Sequence, residues 1–113
     1  MAMYTKQPNL FLPKPLGNHS IQLCQTKASL DQLKTKNSHL FFIDMEQPHL
    51  CNYAIIDKNI NINTTLSSVD ALITKRDDVV LIVRSADCLP ILISSSIGML
   101  AIHAGRKSTE LGI

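Results

Sequence analysis

Short, continuous apolar runs rich in β-branched residues dominate the second half of this 113-residue chain. The clearest is residues 79–83 (VVLIV), and residues 89–94 (LPILIS) and 97–102 (IGMLAI) follow closely. Runs of this length and composition predict β-strands rather than helices. Because the apolar residues are continuous and do not alternate with polar ones, we expect both faces of the sheet to be covered.

Three further segments predict strands, and together they set the expected fold class. Residues 40–43 and 53–56 are apolar, and residues 69–74 form a third run after a polar turn at residues 59–68. Pro90 is compatible with a strand only near its start or at a sheet edge. The three serines at residues 94–96 predict the turn before the last strand. We therefore expect an α/β (α+β) fold with a mixed β-sheet and flanking helices.

The chain divides into a weakly patterned segment, residues 1–39, and the strand-rich region, residues 40–113. Residues 26–36 (TKASLDQLKTK) predict one short helix, with Thr26 or Ser29 as its N-cap. Elsewhere in the first segment, proline and glycine residues are expected to interrupt regular secondary structure. They are Pro8, Pro13, Pro15 and Gly17.

Composition excludes several functional classes. Hydrophobic residues make up 45% of the chain and charged residues 18%, which is typical of a folded globular domain. A net charge of +2 argues against a nucleic-acid partner. No apolar run approaches the roughly 20 residues that span a bilayer, so no membrane association is expected. Three cysteines at irregular spacing do not form a disulfide framework, and we expect a reducing cytoplasm.

Three residues stand where strand ends can hold reactive side chains. Cys88 lies between two predicted strands, His103 ends the last strand, and His49 lies between two earlier strands. A hairpin of 15 residues can bring Cys88 and His103 together. One Cys and two His are a ligand set that zinc accepts, with a fourth position open. On residue type alone, Cys88 could equally be a core residue or a nucleophile with a nearby base. The remaining candidates are expected to be structural or surface residues: His19, Cys24, His39 and Cys51.

Four segments, in the same order, resemble the YfiH-type family, also called the laccase-domain or polyphenol oxidase family. Residues 46–49 (EQPH) are similar to its Gln-Val-His element, and residues 69–74 (VDALIT) to its Ala-Asp-Ala-Leu-Val-Thr element. Residues 85–90 (SADCLP) resemble Thr-Ala-Asp-Cys-x-Pro, and residues 102–105 (IHAG) resemble the start of His-Ala-Gly-Trp-Arg-Gly. The resemblance covers about residues 40–113.

The resemblance implies a metal site and an activity. It implies that His49, Cys88 and His103 bind zinc, with copper as the competing metal. Asp87, beside Cys88, is then expected to orient a ligand or contact substrate, or else to point away from the site, because neighbouring strand residues face opposite sides. The resemblance also implies phosphorolysis of adenosine, inosine, guanosine or methylthioadenosine, and deamination of adenosine. The expected partners are a purine nucleoside and phosphate.

Two departures from the family pattern leave alternative interpretations of the chain open. Arg106 replaces the family's tryptophan, so Arg106 and Lys107 are either phosphate contacts or the solvated start of a helix. Family members are roughly twice as long, which predicts about half of the full domain, truncated at the C-terminus. The chain is then an enzyme completed by self-association or by a separately encoded C-terminal half, or an inactive remnant. A Cys88/His103 thiol hydrolase is a lesser alternative.

Overall fold

A computed structural model describes residues 2–5, 14–16, 19–85 and 89–113, and for residues 2–5, 14–16, 20, 107 and 108 it describes only the backbone. The elements within this part follow one another along the chain as β1 (Ala2–Thr5), β2 (Lys14–Leu16), β3 (His19–Cys24), α1 (Lys27–Lys36), β4 (Phe41–Met45), β5 (Tyr53–Ile56), β6 (Thr64–Leu66), β7 (Ala71–Thr74), β8 (Val79–Ser85), β9 (Leu89–Ser95), β10 (Gly98–Ala104) and α2 (Arg106–Glu110).

The strands form two sheets, each containing parallel and antiparallel pairs. The larger has the order β2-β3-β1-β8-β4-β6, and all its neighbours are parallel except β2 and β3. The smaller has the order β5-β7-β10-β9, with β5 parallel to β7 and the other pairs antiparallel. The predicted mixed-sheet α+β class is confirmed, although the described part of the chain is poorer in helix than expected.

The main core lies between the two sheets, and a second core lies under helix α1. Alternate residues of β8 supply both, because successive side chains of a strand point to opposite faces. The core between the sheets contains Leu81 and Val83 of β8 with Met99 of β10, while Val80 and Ile82 pack in the cluster that contains Leu30 of α1. The continuous apolar run of β8 is therefore buried on both faces, as its sequence predicts.

Helix α1 begins and ends at residues that the sequence identifies. The Thr26 side chain accepts a hydrogen bond from the Ser29 N–H, which satisfies one of the free donors at the helix N-terminus. Lys34 and Lys36 occupy the last turn, where positive charge is favourable. Thr26 is thus the N-cap.

Three sequence expectations about strands and turns were wrong. Residues 1–39 contain three strands, and Pro15 is accommodated because β2 is an edge strand, where a missing N–H donor is tolerated. Strand β6 lies inside the expected polar turn at residues 59–68, and the final turn is at Ser96 and Ile97 because β9 extends through Ser95. Strands β1 and β6 pair with strands distant in the sequence, so local pattern does not identify them, whereas β2 pairs with the adjacent β3.

The sequence predicts that both faces of the sheet are covered, but within the described residues the smaller sheet is covered on one face only. Tyr53 and Ile55 of β5 and Leu89 and Ile93 of β9 are exposed. Their neighbours Ala54 and Leu92 pack against the core between the sheets. The inner face of this sheet is therefore covered, whereas its opposite face carries apolar side chains in contact with solvent.

The Arg76 side chain links the loop after β5 to the start of β8 through hydrogen bonds. Its guanidinium donates to both carboxylate oxygens of Asp78 at 2.8 Å and to the backbone carbonyls of Asp57 and Ile60, and it lies over the Phe41 ring. The hydrogen bonds and charge of Arg76 lower the pKa of the Asp78 carboxyl. One side chain thus contacts four groups from three segments of the chain.

Thr74 links β5, β7 and the segment after β7 through a fully buried hydroxyl. Its Oγ1 donates to the Ile56 carbonyl (2.9 Å) and accepts from the Arg76 N–H (3.0 Å). Gly98 of β10 packs so closely that a Cβ there would lie 2.5 Å from the Thr74 carbonyl oxygen. The hydroxyl therefore acts at a tightly packed junction.

We predict that Thr74→Val lowers the free energy of unfolding by about 1–3 kcal/mol, because it leaves a buried donor and a buried acceptor without their partner. Urea unfolding followed by circular dichroism measures the change. Thr65→Val, at an exposed position of β6, is the matched control and should stay within about 0.5 kcal/mol of the wild type. Equal losses in the two variants would contradict this role of the hydroxyl.

Candidate functional site

A fully buried carboxylate, Asp70, lies immediately before β7 and organises one end of the smaller sheet. Its Oδ1 accepts from the backbone N–H of His49 (3.1 Å) and bonds to Nδ1 of His103 (2.9 Å), and its Oδ2 accepts from the Leu50 N–H (2.7 Å). Its main chain donates to the Asn52 carbonyl and accepts from the His103 N–H. Asp70 therefore joins the loop after β4 to β7 and β10.

The contact with Asp70 orients the His103 ring. A carboxylate can only accept a hydrogen bond, so the proton of a neutral His103 lies on Nδ1 and the lone pair on Nε2. A carboxylate bound to the far nitrogen of a histidine is the usual support of a metal-binding imidazole. The electrostatic setting of His103 thus matches that of a metal ligand.

His49 and His103 lie side by side, although they are far apart in the sequence. Their ring centroids are 4.9 Å apart with an interplanar angle of 61°, and His103 is buried while His49 is exposed. Two imidazoles bound to one tetrahedral zinc ion have centroids about 5 Å apart. The spacing is compatible with two imidazoles facing one metal ion, with His103 fixed in the core and His49 open to solvent.

The loop that carries His49 has a strained backbone. Gln47, His49 and Ser68 are the non-glycine residues with positive φ in the described part of the chain, at 59°, 65° and 61°. Such conformations cost about 1 kcal/mol or more each and cluster at functional sites. The Glu46 carboxylate accepts from the Ser68 N–H at 2.6 Å and so joins the two turns.

Gln47 attaches the His49 loop to the end of β8. Its side-chain amide donates to the Arg84 carbonyl (2.8 Å) and accepts from the Arg84 N–H (2.7 Å), as a backbone residue of a neighbouring strand would. The Arg84 guanidinium in turn donates to the carbonyls of Met45 and Glu46. Cys88 follows Arg84 by four residues, so the amide sets the position of His49 relative to the strand that leads to Cys88.

The expected hairpin of the last two strands is present, and its second strand carries His103. Strands β9 and β10 are antiparallel, with Pro90 opposite His103 and Leu89 opposite Ala104. Cys88 directly precedes Leu89, but Asp87 and Cys88 lie outside the described residues. Within residues 19–85 and 89–113, no three His, Cys, Asp or Glu side chains form a group that could hold a metal ion. The structure thus brings two of the expected ligands together.

The residues assigned structural or surface roles occupy such places. Cys24 is buried, and desolvation raises the pKa of its thiol, which makes it a poor nucleophile. His19 hydrogen-bonds to Ser94, while Cys51 and His39 are exposed. Arg106, the candidate phosphate contact, is exposed at the start of α2, and the Lys107 side chain lies outside the described part.

Sequence reasoning did not identify the role of Asp70. The available signal was an acidic residue at the head of an otherwise apolar run, residues 69–74 (VDALIT), where the strand pattern leads one to expect a buried side chain. A buried acid needs donors, and here two are backbone N–H groups from a loop about 20 residues earlier in the chain. Nothing in the local sequence of Asp70 specifies these partners.

We predict that Asp70→Ala lowers the free energy of unfolding by about 3 kcal/mol or more, because three buried or half-buried donors lose their acceptor. Chemical unfolding followed by circular dichroism measures the change. Asp77→Ala, at an exposed carboxylate in the bend before β8, should change stability by less than about 0.5 kcal/mol. A loss at Asp70 no greater than that of the control would contradict its organising role.

Comparison with known proteins gives one family. Residues 20–113 match the family model described as "multi-copper polyphenol oxidoreductase laccase". No solved structure matches the chain significantly. In the described part of the chain, no helix has the length and apolar character needed to cross a membrane.

The curated relatives are named as enzymes that act on purine nucleosides. A purine nucleoside phosphorylase of Campylobacter jejuni is 39% identical over 79 residues, which are 64% of this chain and 33% of the relative. An adenosine deaminase of an unknown prokaryote is 38% identical over 71 residues, 56% of this chain and 27% of the relative. A purine nucleoside phosphorylase of Rickettsia prowazekii is 30% identical over 94 residues, 81% of this chain and 38% of the relative. The matches thus span about a third of the relatives' length.

Proposed function

Because the chain belongs to the multi-copper polyphenol oxidoreductase laccase family, we propose that it is a zinc-dependent purine nucleoside phosphorylase with adenosine deaminase activity. The observation that supports the proposal most directly is the cluster of Asp70, His103 and His49 at the end of the smaller sheet. The names of the relatives, purine nucleoside phosphorylase and adenosine deaminase, supply the reaction and substrate class.

His49, Cys88 and His103 are the proposed zinc ligands. Asp70 holds the proton on Nδ1 of His103 and so keeps Nε2 available to the metal. When bound, zinc would act as a Lewis acid and lower the pKa of a coordinated water, which suits deamination. Cys88 is then a thiolate ligand, and Asp87 beside it orients a ligand or contacts the nucleoside.

Phosphorolysis requires that phosphate be held for attack at C1′ of the ribose. Arg106 and Lys107 follow His103 by three and four residues and supply two positive charges near the proposed site. Guanidinium groups bind phosphate oxygens through paired hydrogen bonds. We assign phosphate binding to these two residues and nucleoside binding to the region between them and His49. The proposed location is the cytoplasm, where a cysteine ligand stays reduced.

The family description also supports a second candidate, a copper-dependent oxidase. One thiolate and two imidazoles bind copper as readily as zinc. This candidate predicts copper in the purified protein and oxidation of phenols, neither of which a zinc nucleoside phosphorylase would show. A third alternative, an inactive remnant, predicts no stoichiometric metal and no turnover.

We predict that the purified chain contains about one zinc per chain by inductively coupled plasma mass spectrometry, and that Cys88→Ala or His103→Ala removes most of it. Cys51→Ala, at an exposed cysteine near His49, is the matched control and should retain the metal. Zinc well below one equivalent, unchanged in Cys88→Ala, would contradict the site. Alkylation of a metal-free Cys88 by iodoacetamide would favour a thiol hydrolase instead.

Activity is tested on the same preparations by chromatography of the products. We expect hypoxanthine from inosine only when phosphate is present, and inosine from adenosine without phosphate. Both activities should fall at least about tenfold in the variants that lose zinc. Zinc binding without either activity would leave the metal site intact but overturn the proposed reactions.

We predict that Gln47→Ala weakens zinc binding about 10- to 100-fold, because the loop of His49 loses its attachment to the strand that precedes Cys88. Competition with a chromophoric chelator measures the affinity. Gln32→Ala, at an exposed position of α1, should bind zinc as the wild type does. Wild-type affinity in Gln47→Ala would show that the side-chain amide does not position the ligand.

A further inference from the structure

The smaller sheet has an outer face, turned away from the core between the sheets, that is apolar across all four strands. The strand registers align its side chains in two rows that cross the sheet: Ile55, Ile73, Leu100 and Ile93 in one, and Tyr53, Ala71, Ile102 and Ile91 in the other. Leu89 extends this outer face at one end, opposite Ala104. No charged residue interrupts either row.

Much of the outer face is in contact with water. Tyr53, Ile55 and Leu89 are each 62–64% exposed, and Ile93 is 47% exposed. The larger sheet differs, because helix α1 covers a cluster that includes Phe42, Val80 and Ile82. Within the described residues, no element packs on the outer face as α1 does on the larger sheet.

The outer face also contains a groove that can accept an apolar side chain. Next to the turn between β9 and β10, a groove of about 230 Å³ is lined by residues that include Ile73, Ile93, Ile97 and Leu100, with the charged Lys75 at the same groove beyond the two rows. Ile97, at its margin, is 73% exposed. One molecule therefore offers both a projecting apolar side chain and a recess that can accept one.

We propose that the outer face binds the outer face of a second copy of this chain. In a symmetric dimer the same patch meets itself, so it must not repel itself. The rows carry no charge, which satisfies that requirement. Two sheets packed face to face at about 10 Å would bury the rows of both copies.

The area of the outer face is sufficient for a dimer of moderate affinity. With roughly 200 Å² for a fully exposed side chain of this size, its exposed and half-buried residues leave about 600 Å² of apolar surface in water. Two copies would bury about 1,200 Å², the lower end of the range for specific interfaces. Interfaces at this end of the range include weak and transient complexes, so we expect a dissociation constant in the micromolar range. The proposal does not depend on the metal site.

Analytical ultracentrifugation of the full chain between about 2 and 200 µM tests the proposal. We expect a monomer–dimer equilibrium that Ile55→Lys and Ile93→Lys each weaken at least tenfold, because either change buries an unpaired charge in the interface. Ile62→Lys is the matched control: Ile62 is 67% exposed, lies between β5 and β6, and is not in either row. It should associate as the wild type does.

A second measurement covers the possibility that a variant folds poorly. If dimers form, the urea midpoint of the wild type rises with protein concentration, whereas that of a correctly folded monomeric variant does not. A wild type that is monomeric at 200 µM would overturn the proposal and assign the outer face to a different polypeptide. Open-ended aggregation, or equal weakening by Ile62→Lys, would overturn it too.

Discussion

The proposed site depends on the hydrogen bonds that the buried carboxylate of Asp70 accepts. Burying a carboxylate is unfavourable unless hydrogen-bond donors replace its water, and here two backbone N–H groups and one imidazole do so. The same bonds hold a loop whose backbone is strained at Gln47 and His49. The hydrogen bonds that compensate for burial of the carboxylate thus also hold the exposed imidazole of His49 beside the buried imidazole of His103.

The layers of the fold explain why the site and the outer face lie on the same sheet. At β4 and β8 the larger sheet is covered on both sides, by α1 and by the smaller sheet. The smaller sheet has one buried face. Strand β10 therefore has buried Met99, Ala101 and His103 on one side and half-buried Leu100 and Ile102 on the other. The strand that presents His103 to the site also presents apolar side chains to solvent.

The sequence predicts those parts of the fold that depend on local pattern. The strong runs at residues 79–83 and 53–56 form strands, and Thr26 caps the helix as its residue type indicates. Strands β1, β3 and β6 were not predicted because each pairs with a strand distant in the sequence and their own residues carry little pattern. Strand β2 pairs with the adjacent β3, but its Pro15 argued against a strand. Full coverage was predicted for all strands, but a continuous apolar run does not specify what covers each face.

The sequence predicts two residues that meet at the candidate site, but not the residues that support them. His49 and His103 were found through residue type, strand-end position and family resemblance, and they lie together. Gln47 and Asp70 hold the His49 loop through backbone groups, which any sequence supplies, and only the bond from Asp70 to Nδ1 of His103 joins two side chains. A hydrogen bond to a backbone N–H leaves no trace in the identity of the donor residue. Support of this kind becomes visible only when the chain is folded, because it depends on where the backbone passes.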